Sequence, residues 1–289
     1  MNLDPRVTLV RDGVADARLE GVVRARRFQP ARASQTIALA AALRSAPDPR
    51  AEQLDQLLFG EGFDVFETSG QFVFGQAWRD GYVGWVEADD LTDQGAPPTH
   101  WVSALRTFAF DEPSIKAPAR GPLSLNALLT VVEESSALVR ADRIGWIARA
   151  HLSPIGTVFA DPAKVALAHL GAPYLWGGRE SVGLDCSGLI QQALLACGVA
   201  CPRDADQQQA LGVAAPSDAL ARGDLVFWKD HVGMMLDTRR LIHANGYAMA
   251  VTVEALARAR ARISGEGGGE PIAYRRLSLQ TPGRRRRKP

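Results

Sequence analysis

The chain has 289 residues, 46% of them hydrophobic, with 33 lysines and arginines against 32 aspartates and glutamates. That length exceeds the needs of one small domain, so two or three packed domains are expected. A net charge of +1 leaves no electrostatic footprint for nucleic acid or a membrane surface, and three cysteines are too few for a disulfide scaffold.

The opening stretch, MNLDPRVTLVRDGVADARLEG, carries early acids and no apolar core run, so it does not read as a signal peptide. Thr36 to Leu43 is apolar but too short to span a bilayer. A reduced, soluble, cytoplasmic protein is expected. Residues 1–33 are mixed and charged, without a strong period, and are expected to form an arm.

Residues 34–95 have a β texture. Short apolar or aromatic runs at Val65-Phe66-Glu67, Phe72 to Trp78 and Tyr82 to Val86 are punctuated by Gly62, Ser69-Gly70 and Asp80-Gly81. Asp80-Gly81 is a hairpin signal. Gly95 to His100 reads as a linker. Residues 96–160 repeat the texture. Ala42-Leu43-Arg44 with Gly84-Trp85-Val86 in the first copy answers Ala104-Leu105-Arg106 with Gly145-Trp146-Ile147 in the second. Two related small barrels in tandem are expected. The Gly-Trp ending resembles bacterial SH3-like domains, which often accompany cell-wall enzymes.

Residues 161–289 change character. Asp161-Pro162 starts a helix, with Val165, Leu167, Ala168 and Leu170 on its apolar side and Gly171 closing it. A turn-rich stretch leads to Asp185-Cys186-Ser187-Gly188. Asp185 is a good N-cap, and Leu189, Ile190, Ala193, Leu194 and Cys197 fall on one helical face before Gly198. Cys186 thus stands in the first turn, where the helix dipole favours thiolate, the nucleophilic form. Strands are expected at Asp224 to Trp228, His231 to Leu236, Leu241 to Ala244 and Pro271 to Leu277, with a flexible loop at Gly265 to Gly269. Helices first and antiparallel strands after make this part α+β.

His231 opens a strand and His243 lies on the next, so the two are expected to be neighbours facing the start of the cysteine helix. Nucleophile, base and orienter then fall to Cys186, His231 and His243. His100, His151 and His169 are read as structural, as are Cys197 and Cys201, with Cys197 on the buried helix face. Arg284 to Lys288 is a solvated tail.

Pro173-Tyr174-Leu-Trp176-Gly177-Gly178, Asp185-Cys186-Ser187-Gly188-Leu189-Ile190-Gln191, Arg203, Gly223-Asp224-Leu225-Val226-Phe227 and His231-Val232-Gly233-Met234 resemble the successive motifs of the NlpC family of cell-wall cysteine peptidases. The resemblance implies a minimal papain-like fold, preceded here by two all-β SH3-like barrels. It also implies a Cys-His-His triad at Cys186, His231 and His243. The implied reaction is hydrolysis of the γ-D-glutamyl–diamino acid bond in peptidoglycan-derived peptides, without metal or cofactor.

The layout resembles endopeptidases that act on freed murein peptides. In those enzymes the first SH3-like domain closes the groove and a free L-alanine amine is required. By motif position, Tyr174, Asp185 and Ser187 are the substrate-binding residues this implies, together with Glu61 and Tyr82 from the first SH3-like domain. One departure is Arg203-Asp204-Ala205, where the family commonly has a small hydroxyl residue at the position of Ala205. Two other readings stand beside this one: an amidase or acyltransferase on the same scaffold, and a non-catalytic wall-binding module.

Overall fold

The computed structural model describes residues 3–278 apart from Ser136, so the basic run Arg284 to Lys288 lies outside the described residues. The chain forms two compact units: residues 1–155 with 176–180, and residues 156–175 with 181–289.

The first unit is built almost wholly from strands. Its larger sheet runs in the order 53–58, 40–44, 83–87, 72–77, 62–69, 32–36, 91–93. A second set repeats that order, as 119–124, 106–110, 145–148, 138–141, 131–135 in one sheet and 128–129, 100–102, 152–154 in another. The single long strand of the first copy, Gly62–Ser69, corresponds to two short ones in the second, Leu128–Leu129 and Val131–Ser135. The duplication read from two sequence fragments is therefore a duplication of topology. The expected closed barrels are not found: among the described residues both copies are open sheets, with Gln53–Leu58 and Leu91–Asp93 as the free edges of the first.

The Gly-Trp signature has a packing cause. Trp85 pairs with Arg44, and Trp146 pairs with Phe110. A Cβ on Gly84 would lie 2.2 Å from Leu43, and one on Gly145 would lie 2.4 Å from the Phe110 carbonyl. Each glycine lets its strand approach the neighbour closely, while the following tryptophan is buried. The N-terminal arm is ordered. Val10–Arg11, Val14–Asp16 and Arg27–Gln29 form a three-stranded sheet, and Leu9 packs with Phe66, Phe72, Phe74 and Trp85. The Arg11 guanidinium lies 4.7 Å from the Trp85 ring centre, a cation–π contact.

The second unit is α+β. Its antiparallel sheet runs 213–214, 273–276, 225–228, 231–235, 240–245, 250–255. Four helices accompany it: Pro162–Ala168, Cys186–Ala196, Ala205–Gln208 and Leu256–Gly265. Leu189, Ile190, Ala193 and Leu194 of the second helix are fully buried, and this helix packs against the strands His231–Met235 and Arg240–Asn245. On one sheet face, Val226, Trp228, Met235 and Leu241 pack with Ala259, Leu256 and Ile263 of the last helix.

Three details depart from expectation. In Pro162–Ala168 the buried residues are Pro162, Ala163, Val165 and Ala166, while Leu167 and Leu170 are exposed. Cys197 is the helix C-cap and only partly buried. Strand Ala250–Ala255 and helix Leu256–Gly265 occupy a stretch that reads as featureless. That helix has no side-chain N-cap, so the start signal is missing, and its apolar stripe is only Leu256, Ala259 and Ile263 among arginines.

Candidate active site

Asp185 sets the start of the nucleophile helix. Its Oδ1 accepts the Gly188 N–H at 2.7 Å, as an N-cap should. The same carboxylate receives a fork from Arg203, at 3.0 Å to Oδ1 and 2.6 Å to Oδ2. Arg203 also donates to Ser187 Oγ at 2.8 Å, and Ser187 Oγ donates to Asp185 Oδ1 at 3.3 Å. Asp185, Ser187 and Arg203 are all buried. A buried carboxylate is costly alone, and the two-pronged guanidinium supplies its counter-charge. The residues read as facing a substrate amine are thus already joined to one another. Asp204 precedes the short helix, where Gln207 Oε1 accepts its backbone N–H.

Cys186 is the first residue of the helix and 8% exposed. Its sulfur receives backbone hydrogen bonds from Ser187 and from Val232, the residue after His231. Burial and, next, the Asp185 carboxylate push the thiol up to about 12. This reverses the expectation drawn from the helix dipole. The dipole and the N–H groups favour thiolate, but the loss of water around a buried sulfur outweighs them.

His231 and His243 meet as expected: Nε2 of His231 lies 2.8 Å from Nδ1 of His243, with ring centres 5.0 Å apart. His231 pairs with Trp228 across the hairpin, and His243 stands two residues after Leu241. Strand alternation therefore puts both rings on the face that carries the last helix. His243 is fully buried. Burial, then His243 and Arg262, bring His231 down to about 3. Burial and Arg262 bring His243 down to about 4. Burial thus favours the neutral form of the thiol and of both imidazoles.

Behind the histidines lie two residues that sequence reasoning missed. His243 Nε2 is 2.9 Å from Glu254 Oε1, although the pair is not aligned for a straight hydrogen bond. Arg262, on the last helix, meets the same oxygen at 2.6 Å. Tyr174 is half-buried and held by its N–H to the Met249 carbonyl at 2.9 Å. Burial and the nearby Cys186 and Asp185 raise its phenol.

Glu61 and Tyr82 belong to the first unit. Glu61 is 1% exposed. Its Oε1 takes Arg79 and Arg179, each at 2.8 Å, and its Oε2 takes the Leu58 N–H at 3.1 Å. Arg179 is itself fully buried and also meets Asp55 at 3.4 Å and Asp80 at 3.7 Å. Glu61 is therefore shared by two guanidiniums. Tyr82 is 5% exposed and packs with Leu43, Phe63, Val73 and Val86. His100, His151 and His169 find ordinary partners in Thr99, Thr107 and the Val165 carbonyl. Among the described residues there is no group of histidine, cysteine and carboxylate side chains arranged to hold a metal.

Residues 171–261 match the NlpC/P60 family, and residues 43–91 match the bacterial dipeptidyl-peptidase Sh3 domain. The chain thus carries an NlpC/P60 cysteine peptidase domain joined to a bacterial SH3 domain. It is 27% identical over 246 residues to dipeptidyl-peptidase 6 of Lysinibacillus sphaericus, covering 76% of this chain and 90% of that one. It is 27% identical over 216 residues to the gamma-D-glutamyl-L-lysine dipeptidyl-peptidase of Bacillus subtilis, covering 65% of this chain and 71% of that one. In fold it is similar to the crystal structure of an NlpC/P60 family protein from Bacillus cereus. The TM-score is 0.72 and the identity 21%, over 86% of this chain and 100% of that one.

Proposed function

We propose that the protein hydrolyses the γ-D-glutamyl–diamino acid bond of peptidoglycan-derived peptides that carry a free N-terminal L-alanine, in murein peptide recycling. The observation that carries the chemistry is the His231–His243 contact at 2.8 Å, beside a cysteine on a capped helix start. The substrate class rests on the likeness to relatives named for γ-D-glutamyl-L-lysine cleavage.

In this reading the neutral thiol is deprotonated as it attacks. His231 takes the Cys186 proton while sulfur adds to the γ-glutamyl carbonyl. Backbone N–H groups at the helix start stabilise the tetrahedral oxyanion. The His231 imidazolium then gives its proton to the departing amine, leaving a thioester on Cys186. Water, deprotonated by His231, releases the acid. Holding both partners neutral at rest keeps the buried pair stable, and the ion pair forms only as charge develops on substrate.

The test is product analysis. Purified protein with L-Ala-γ-D-Glu-L-Lys should yield L-Ala-D-Glu and lysine, and the diaminopimelate counterpart should reveal which diamino acid is preferred. Transfer of the acyl group to added amines in place of hydrolysis would instead support an acyltransferase. No turnover of any such peptide would refute the reading.

A further inference from the structure

We infer that Glu254, held by Arg262, is a positioning residue that fixes the tautomers of both histidines and so selects which nitrogen of His231 is the base. The inference rests on the peptidase reading above and goes beyond the triad.

The decisive atom is His243 Nε2. This atom is fully buried and lies 2.9 Å from a carboxylate oxygen. Were Nε2 unprotonated, its lone pair would face that oxygen's charge in a poorly screened site, which is repulsive. A proton on Nε2 makes the same contact attractive even when the bond is bent. His243 then has its lone pair on Nδ1. Nδ1 is the atom 2.8 Å from His231 Nε2, so His231 must donate there. The one nitrogen of His231 left as a base is Nδ1. A single carboxylate thus settles two tautomers in series.

Arg262 holds Glu254 in place. The two share a 2.6 Å contact, and the Arg262 guanidinium lies 4.7 Å from the exposed Tyr247 ring, which covers it from outside. The guanidinium fixes the place of Oε1, so the carboxylate orients the Nε2 proton from one side. The charged or titratable groups that bear on the pair are Glu254, Arg262 and Asp185. When His231 becomes an imidazolium, Glu254 is the anion that acts on it through His243. Arg262 alone would oppose that charge.

The test reads the tautomers directly and does not need a substrate. Long-range 15N–1H spectra of the full chain at neutral pH should show His243 protonated on Nε2 and His231 protonated on Nε2. In Glu254→Ala both should become tautomer mixtures. Alkylation of Cys186 by iodoacetamide should slow by about tenfold, the scale of one lost charged hydrogen bond. The kcat for tripeptide should fall similarly with KM little changed. Glu254→Asp should recover most of the loss. Glu254→Gln, nearly isosteric, keeps an acceptor oxygen without the charge and should lie between; it carries the test if the alanine variant does not fold. Wild-type tautomers and wild-type alkylation in a folded alanine or glutamine variant would overturn the inference. If the wild type turned over no peptide while the tautomer and alkylation effects held, the substrate would be wrong and the positioning role would stand.

Discussion

Burial is the largest influence on the charge of both Cys186 and His231. With the thiol raised to about 12 and His231 lowered to about 3, the neutral pair persists across the physiological range. The pH profile of kcat/KM should therefore be a broad plateau, falling only in acid as His231 protonates and in strong alkali as the thiol ionises. A narrow bell centred on neutrality would mean that substrate-free Cys186 and His231 already form an ion pair. Cys186→Ser should abolish turnover, because a hydroxyl is a far poorer nucleophile in the same place. His231→Ala should cost about 10²–10⁴-fold, the range for a general base. His243→Gln should cost less, since an amide can still accept from His231 Nε2. Single-turnover kinetics on folded variants checks all three. Iodoacetamide should not discriminate as sharply as a buried Cys197 would have allowed, because that thiol is a partly exposed helix cap.

At the scale of elements, one buried cluster in the first unit holds its surroundings by charge. Removing the Glu61 carboxylate strands Arg79 and the fully buried Arg179. Glu61→Ala should therefore destabilise the first unit by about 3–5 kcal/mol, the cost of breaking a buried pair from one side. Denaturant unfolding measures this, and a loss below about 1 kcal/mol would show that water reaches the cluster. The sheet carrying His231 and His243 makes the second unit sensitive to acid. Both histidines have folded values below the usual 6.5, at about 3 and about 4. Between pH 6.5 and those values the unfolded chain binds more protons, so stability falls as pH falls. The slope is up to about 1.4 kcal/mol per pH unit for each histidine. His243→Gln should flatten that slope by the share of one histidine, which unfolding at pH 7, 6 and 5 resolves. Cys186 acts at the other end: its raised value means that stability declines as pH climbs above about 9.

For the whole molecule, the proposed free-amine requirement would separate a scavenger of released peptides from an enzyme that cuts intact wall. L-Ala-γ-D-Glu-diamino acid should be cleaved, and its N-acetyl form and intact sacculi should not. Comparable kcat/KM for free and acetylated peptide would remove the amine requirement while leaving the triad in place. Neither Glu61 nor Asp185 is a spare carboxylate, since each is neutralised by arginine. An ammonium at Asp185 would therefore meet a carboxylate already shared, and its affinity should fall as salt rises.

The features legible in the sequence are those fixed by neighbours along the chain. A cap at Asp185, a helix stripe through Leu189, Ile190, Ala193 and Leu194, and strands through His231 to Leu236 and Leu241 to Ala244 follow from local geometry and period. The repeated Gly-Trp ending was legible because close strand approach demands the same small residue each time it occurs. The remainder was decided by distance in space. Arg203 meets Asp185 across 18 residues, and Arg179 meets Glu61 across 118. Nothing in local pattern says which of 33 basic residues will be buried against which acid. Glu254 and Arg262 read as ordinary polar residues until the sheet and the last helix bring them behind His243. The burial that opposes ionisation of Cys186 is hidden in the sequence for the same reason. The helix dipole is visible in the sequence around the cysteine, but the desolvation that opposes it is a property of everything packed over the sulfur, and only the tertiary structure sets that.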